Sequence, residues 1–545
     1  MHKYIFLLLF SLIATSVTAQ KQELLDQLKL LRQEVSDVDL GRYLYDQQLE
    51  YNPTEPTEIT IDITETDTKR DKSESLSAVL NLALLNKNMV RRVSTKNEMK
   101  VVLKARKAIF QIYEEGEWDG YDNEFEIICQ DIDAAKNLEK ILEETIVAAG
   151  TYWKTAYAIP ETVDDLIGML TEAIGDVEIG ESSIEQRMQS DKDYMDIMDM
   201  KQSKKSAMSY QFSLGDLEVK SVDYEIKSDK VFVEVNTAKD RKFILVEEEG
   251  ELEYGDELQF FMSKPAQASQ FVKLLKQAIP LCDSLIELRL PKPKDQVVAA
   301  RLMQSLLIPY GFNETSYTQA INTDCRATYT ISEEGEKETE SLSYQFNWGD
   351  LDRKSKEIKL GKEQIEIALN MKGRNKYIEV RENDELKAFE SSLSLYAPTV
   401  EAARSIISIV DSIIVGCPVE LMAKNAKWLD RELAAITEIE EDLSQNLSVA
   451  ADDPCQMTLT VNDKEDSEQY EFNLSDISMK SLELSIKGKT IELSMETKND
   501  EESINYYDEK GDLSYKDELE FFFARVDAGR TALLTFKALG EGCKE

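Results

Sequence analysis

Two hydrophobic rhythms alternate along this chain. One is helical: Leu24, Leu25, Leu28 and Leu31 recur at three- and four-residue intervals, as do Trp428, Leu429, Leu433 and Ile436. The other has period two. Leu482, Leu484 and Ile486 alternate with polar residues up to a Lys487-Gly488-Lys489 turn, and Ile491, Leu493 and Met495 alternate back. That pattern predicts a hairpin with one buried face. Val222, Tyr224 and Ile226, followed by Val231, Val233 and Val235, predict another. Further apolar stripes, Phe271, Leu274, Leu275 and Ala278 and then Ile406, Ile407, Ile409, Val410 and Ile413, predict helices after the strands. Asp133, Glu401 and Asp527 stand where an acidic side chain would cap free amides and favour the helix dipole.

These rhythms recur in a fixed order. Ser209-Tyr210-Gln211-Phe212-Ser213-Leu214-Gly215-Asp216-Leu217 returns as Ser343-Tyr344-Gln345-Phe346-Asn347-Trp348-Gly349-Asp350-Leu351 and as Gln469-Tyr470-Glu471-Phe472-Asn473-Leu474-Ser475-Asp476-Ile477. A weaker copy lies at Leu80–Leu85. Upstream of each stands a Gln between apolar residues: Gln47, Gln186, Gln319 and Gln445. Downstream, Asp133-Ala134-Ala135-Lys136, Glu401-Ala402-Ala403-Arg404 and Asp527-Ala528-Gly529-Arg530 open helical patterns. Three blocks in one order predict a repeat architecture. The expected fold class is α+β, in four tandem units spanning 21–157, 158–292, 293–418 and 419–545. Each unit is an N-terminal helix, an antiparallel meander of about six strands and a closing C-terminal helix. A meander closed by one helix resembles the pleckstrin-homology-like roll, by element order over roughly 85 residues of each unit. A helix-grip fold is the alternative. The basic first hairpin of lipid-binding rolls is matched only by Lys201, Lys204 and Lys205, so no headgroup function is carried over.

Composition narrows the function. His2 and Lys3, an apolar run from Tyr4 to Ile13 and small residues up to Ala19 read as a signal peptide of residues 1–19, cleaved after Ala19. No Cys follows the run, which argues against a lipoprotein anchor, and no later segment approaches a membrane span. The expected location is secreted or periplasmic. The net charge is −41, and −42 once the one lysine of residues 1–19 is removed. Such a field repels nucleic acid and anionic membranes. His2 is the only histidine, so the processed chain lacks Ser-His-Asp and Cys-His catalysis and His-containing zinc sites. No phosphate-binding glycine loop occurs. No enzyme activity, cofactor or metal is expected.

Four groups of residues are candidates for a site. The four Gln amides would present a ligand contact or, the favoured reading, bond backbone at a sheet edge. Asp216, Asp350 and Asp476 would line a cleft or, again favoured, form turns by bonding local amides. Acidic hairpins at 114–124 and 508–518 are rich in oxygen ligands but lack calcium-loop spacing, and read as solvated turns. Cys325 and Cys455 both start the first strand of their units, and Cys417 and Cys543 both follow the closing helix. Equivalent positions imply equivalent disulfides, Cys325–Cys417 and Cys455–Cys543, leaving Cys129 and Cys282 unpaired. The leading functional expectation is a non-catalytic interaction or scaffold protein whose partner is another envelope or extracellular protein. The alternatives are a small-ligand or lipid carrier with a pocket under each closing helix, and a carboxylate-pair enzyme.

Overall fold

The computed structural model describes residues 2–543 apart from 97, 180, 181, 192–194, 204, 313, 314, 323, 335–338, 362–364, 441 and 465. It is a mixed α+β protein with 8 helices and 35 strands among the described residues, every sheet being antiparallel. The chain forms two compact units, Met1–Arg289 and Leu290–Glu545.

The first unit opens with α1 (His2–Glu34), which buries Leu24, Leu28 and Leu31. The expected cleavage point after Ala19 lies within this helix. Nine strands follow: β1 (Val38–Asp39), β2 (Tyr43–Asn52), β3 (Glu55–Asp67), β4 (Lys72–Asn81), β5 (Val90–Ser94), β6 (Met99–Lys104), β7 (Phe110–Glu114), β8 (Glu117–Asp122) and β9 (Glu124–Cys129). They divide into a six-stranded sheet ordered β1-β2-β3-β4-β7-β8 and a three-stranded sheet ordered β5-β6-β9. Helix α2 (Ile132–Ala156) then packs against α1 and the three-stranded sheet. Its stripe of Ala135, Leu138, Leu142, Ile146 and Ala149 meets Val101, Leu103, Phe125 and Ile127 in one core.

Residues 163–289 carry the same order: α3 (Val163–Ala173), a six-stranded sheet, a three-stranded sheet of Asp223–Lys227, Lys230–Asn236 and Glu257–Met262, and α4 (Pro265–Arg289). Proline suits the first turn of α4, where its missing N–H costs nothing. In the second unit, α5 (Gln296–Leu306) and α6 (Val400–Gly416) bracket six- and three-stranded sheets, and α7 (Ala426–Ala434) and α8 (Val526–Gly542) bracket five- and three-stranded sheets.

Three sequence expectations change. Nine strands, or eight in the last stretch, replace the expected six, and they form two sheets rather than one meander. The Gln block is itself a strand, so Cys325 and Cys455 stand before the next strand, Arg326–Glu334 or Gln456–Asp463. The helix caps are Asp131 and Thr399, whose side chains accept from amides in the first turn, while α8 has no side-chain cap. Asp133, Glu401 and Asp527 are the second residues of their helices, where they favour the dipole without capping it.

Candidate functional site: the clefts between the sheets

Strand alternation gives each three-stranded sheet two unlike faces. Val231, Val233, Val235, Leu258, Phe260 and Met262 point to the core shared with α4. Their neighbours Phe232, Glu234, Gln259 and Phe261 point the other way, and there the two sheets leave a cleft. Equivalent clefts occur in all four stretches, with volumes of about 740, 460, 410 and 480 Å3 in chain order. None takes a lining residue from a closing helix.

The repeated Gln joins the sheets beside each cleft. Gln47 in β2 donates through Nε2 to the Ile128 carbonyl (2.9 Å) and accepts from the Ile128 N–H (3.0 Å). Gln186 does the same to Phe261 (2.5 and 3.2 Å), Gln319 to Tyr396 (2.9 and 2.9 Å) and Gln445 to Phe522 (2.7 and 3.0 Å). In every case the partner lies on the last strand of the three-stranded sheet. A side-chain amide thus stands in for one residue of a neighbouring strand. All four side chains are buried, at 1 to 5% exposure, so the bonds are shielded from water.

The register then defines the floor. Across from each Gln sits Ile63, Met200, Ile331 or Val461. One strand further come Leu76, Met208, Leu342 and Glu468. The stapled residues Ile128, Phe261, Tyr396 and Phe522 form the opposite wall. Paired with them are Lys100, Phe232, Glu366 and Glu492.

The rims differ in charge. In the first cleft Glu65, Glu74, Glu98, Glu114, Glu115 and Glu126 surround Lys72 and Lys100. Burial opposes the Lys100 ammonium, but bonds from Glu126 and Glu98 outweigh it and raise its pKa. Tyr45, which donates to Glu98 (3.2 Å), is raised by burial and by Glu65 and Glu98. In the last cleft Glu468 accepts from both Tyr470 and Tyr506 (2.7 Å each), and Lys516 lies over the Tyr506 ring at 3.7 Å. The Glu468 bond, with burial, pushes Tyr506 up to about 12. The second cleft is mixed: Lys205, Lys227 and Lys230 share its rim with Glu257, and Glu225 and Glu234 stand on the same sheet face, Glu225 bonding Lys227 at 2.7 Å.

The remaining candidates lie elsewhere. Asp350 is buried and held bidentately by Arg530 (2.7 and 3.0 Å). Asp476 is exposed and accepts from the Ser475 hydroxyl, and Asp216 is half-buried. Asn81 and Asn473, rather than the Asp, bond the turn amides, at Ala83 and Ser475. The small residue before the Asp has a packing reason: a Cβ on Gly215 would lie 2.8 Å from the Cys282 backbone, and one on Gly349 would overlap the Cys417 carbonyl. Ala83 and Ser475 take that place in the other two stretches. In the 508–518 hairpin, Asp508 accepts from the amides of Lys510 and Asp512, a solvated turn. Among the described residues no group of three or more His, Cys, Asp or Glu side chains converges on a metal position.

Disulfides join Cys325 to Cys417 and Cys455 to Cys543, the pairs expected from their equivalent positions, with Cα separations of 5.2 and 5.7 Å. Cys129 and Cys282 are free and buried. Burial pushes Cys129 up to about 11 and, with Asp196, Cys282 up to about 12, which makes both poor nucleophiles. The disulfides are consistent with an extracellular or periplasmic location. No helix among the described residues is long and apolar enough to cross a membrane.

No family model and no curated protein matches the chain. A solved structure of MucB in complex with MucA(peri) is similar at 10% identity over 69% of this chain and 98% of that one, with a TM-score of 0.10, too loose a superposition to bear on fold or partner.

Proposed function

We propose that the chain is a non-catalytic interaction protein of the envelope or exterior, led by a signal peptide ending at Ala19 and built from four copies of one module near 21–157, 158–292, 293–418 and 419–545. Each module offers its inter-sheet cleft to a segment of another extracytoplasmic protein. The observation that carries this is the recurrence of one construction, a Gln staple beside a cleft whose floor is apolar in three copies and holds Val461 with Glu468 in the fourth, with rims that change charge from copy to copy. A shared frame with varied rims suits recognition of different segments. Sheet order supports the fourfold division, since the six-plus-three arrangement occurs three times and a five-plus-three version ends the chain. The likeness of each module to a pleckstrin-homology-like roll is proposed on the same footing. The carrier reading gains no support under the closing helices, whose apolar stripes fill that space themselves.

Photo-crosslinking tests this. A benzophenone amino acid replacing Tyr210, Tyr344 or Tyr470 should capture a defined protein in the native envelope fraction. The same probe at Lys276, on the exposed side of α4, should not. Equal capture from all four positions, or none from any, would sink the proposal.

A further inference from the structure

The third and last stretches are joined by a contact whose two halves recur, exposed, in the last stretch and the first. One half is a sheet face. Val380 and Ala388 line the third cleft, so their neighbours Glu379 and Phe389 point the other way. Phe389 is 3% exposed and belongs to the core of the last stretch, with Tyr377 and Leu386 packed beside it. The other half is the start of α8. Arg530 holds Asp350 and lies over the Tyr377 ring at 4.6 Å. Asn347 donates to Asp527 (3.1 Å), and Arg326 pairs with the same carboxylate (3.6 Å). Val526, which opens the helix, is 8% exposed.

The first and second stretches meet in the same way. Tyr121, at the register position of Phe389, packs against the core of the second stretch. Glu58, at the position of Arg326, pairs with Lys264, the residue before α4 (2.9 Å). Leu84 stands there for Asp350 and Ser269 for Arg530, so both partners of that ion pair are absent together.

The last stretch repeats the sheet half. Tyr515 pairs with Asn505 as Phe389 does with Glu379, yet it is 56% exposed, and Leu513, at the place of Leu386, is exposed beside it. Asp476 takes the place of Asp350 in solvent, and Asn473 takes that of Asn347, bonded here to Asp453 (3.2 Å). The first stretch repeats the helix half. Ile132 opens α2 as Val526 opens α8, and is 53% exposed. Asp133 and Lys136 take the places of Asp527 and Arg530. Both are exposed, and they pair with each other (2.9 Å) as Asp527 and Arg530 do (3.7 Å).

We propose that the chain associates head to tail with a second copy of itself, the Tyr515 face of one copy receiving the start of α2 of the next. The choice of partner rests on complementarity with a contact the chain already builds: Tyr515 and Leu513 match Ile132, Asp476 matches Lys136, and Asn473 matches Asp133. The two halves are unlike, so the contact is heterologous. Each added copy presents a fresh face, and the product is an open line of copies rather than a closed pair. Gln456 and Ser503 replace Arg326 and Tyr377, so this contact lacks one ion pair and one ring contact and is weaker than the internal one. None of these residues lines a cleft, and the proposal stands or falls apart from the recognition of other proteins.

Sedimentation velocity of the full chain tests this. At about 150 mM salt the repulsion between two copies of net charge −41 is screened beyond about 8 Å. The weight-average sedimentation coefficient should keep rising with protein concentration, without the plateau of a closed dimer. Tyr515→Glu or Ile132→Glu alone should weaken association at least about tenfold. Mixed one to one, these two variants should recover it as a species that stops at two copies, because the first keeps its α2 end and the second its Tyr515 face. Asp476→Lys and Lys136→Glu should each weaken association, and the chain carrying both should regain it with the ion pair reversed. Lys276→Gln, on α4, should change nothing. All these positions are exposed, and circular dichroism checks that the variants keep the native fold. A monomer at every concentration would overturn the proposal, as would a mixture that fails to recover association. Dependence on Tyr515 but not on Ile132 would also overturn it, since the Tyr515 face would then meet something other than α2.

Discussion

Cys417 and Cys282 occupy the same place in two closing helices, seventeen residues beyond Val400 in α6 and beyond Pro265 in α4. Cys417 is bonded to Cys325. Cys282 is a buried free thiol, and near it lies Asp196, fully buried in the core. The register aligns Asp196, paired with Phe212, with Ala327, paired with Phe346, and with Met457 and Ile59 elsewhere. One stretch therefore fixes its helix end covalently, while the other keeps the cysteine and buries a carboxyl where its counterparts are apolar. In α2 the equivalent residue is Ala149, which simply packs. A crosslink, a buried acid and a methyl group are thus accommodated near corresponding joints of three stretches, so these joints tune stability without deciding the fold.

The largest effect should come from the crosslink. Opening either bond by Cys417→Ala or Cys543→Ala releases a loop of 92 or 88 residues, which chain-entropy models value at about 4–5 kcal/mol. Calorimetry with and without reductant should show the transition of 290–545 moving down while that of 1–289 stays within a degree or two. Equal shifts in both would break the comparison.

Asp196 should come next. Burial pushes its pKa up to about 7, against about 3.9 in an unfolded chain. The folded state then holds a proton that the unfolded state has lost, so this group destabilises as pH rises from about 4 to about 7 and changes nothing above. Three units correspond to an upper limit of about 4 kcal/mol. Asp196→Met, which copies the residue at the corresponding place 457, should raise stability at pH 7 and flatten the slope over that window in urea titrations. An unchanged slope would show that the carboxyl is already solvated.

Gln186→Leu should cost about 2–3 kcal/mol, because it leaves the N–H and C=O of Phe261 unpaired. Gln319→Leu should cost slightly more, since Tyr329 also loses its acceptor (2.8 Å). Denaturant midpoints of the single variants would rank them. The smallest effect concerns access: iodoacetamide should label Cys129 and Cys282 only when the chain unfolds, and native labelling of Cys282 would mean that the last turns of α4 lift from the core.

Much of this was legible in the sequence, for identifiable reasons. The Phe212, Phe346 and Phe472 blocks, the closing helices and both disulfides could be read because each is a local pattern that recurs. Strand number could not. β8 (Glu117–Asp122) is exposed or half-exposed along its whole length and so shows no period of two, and β5 buries only Val90. The clefts were hidden for a different reason. Met200, Phe232 and Phe261 converge only through a register that spans 61 residues, and nothing in the spacing of Gln186 reveals that its amide reaches Phe261. The basic residues Lys201 and Lys205 were the one visible sign that this stretch differed; Lys204 lies outside the described residues.

The Gln staple also bears on where damage would stop. Its two ends lie 81, 75, 77 and 77 residues apart in the four stretches, always inside one stretch. Each pair of sheets therefore carries both partners of the bond that joins it, and loss of one Gln unhooks one pair and leaves the other three fastened.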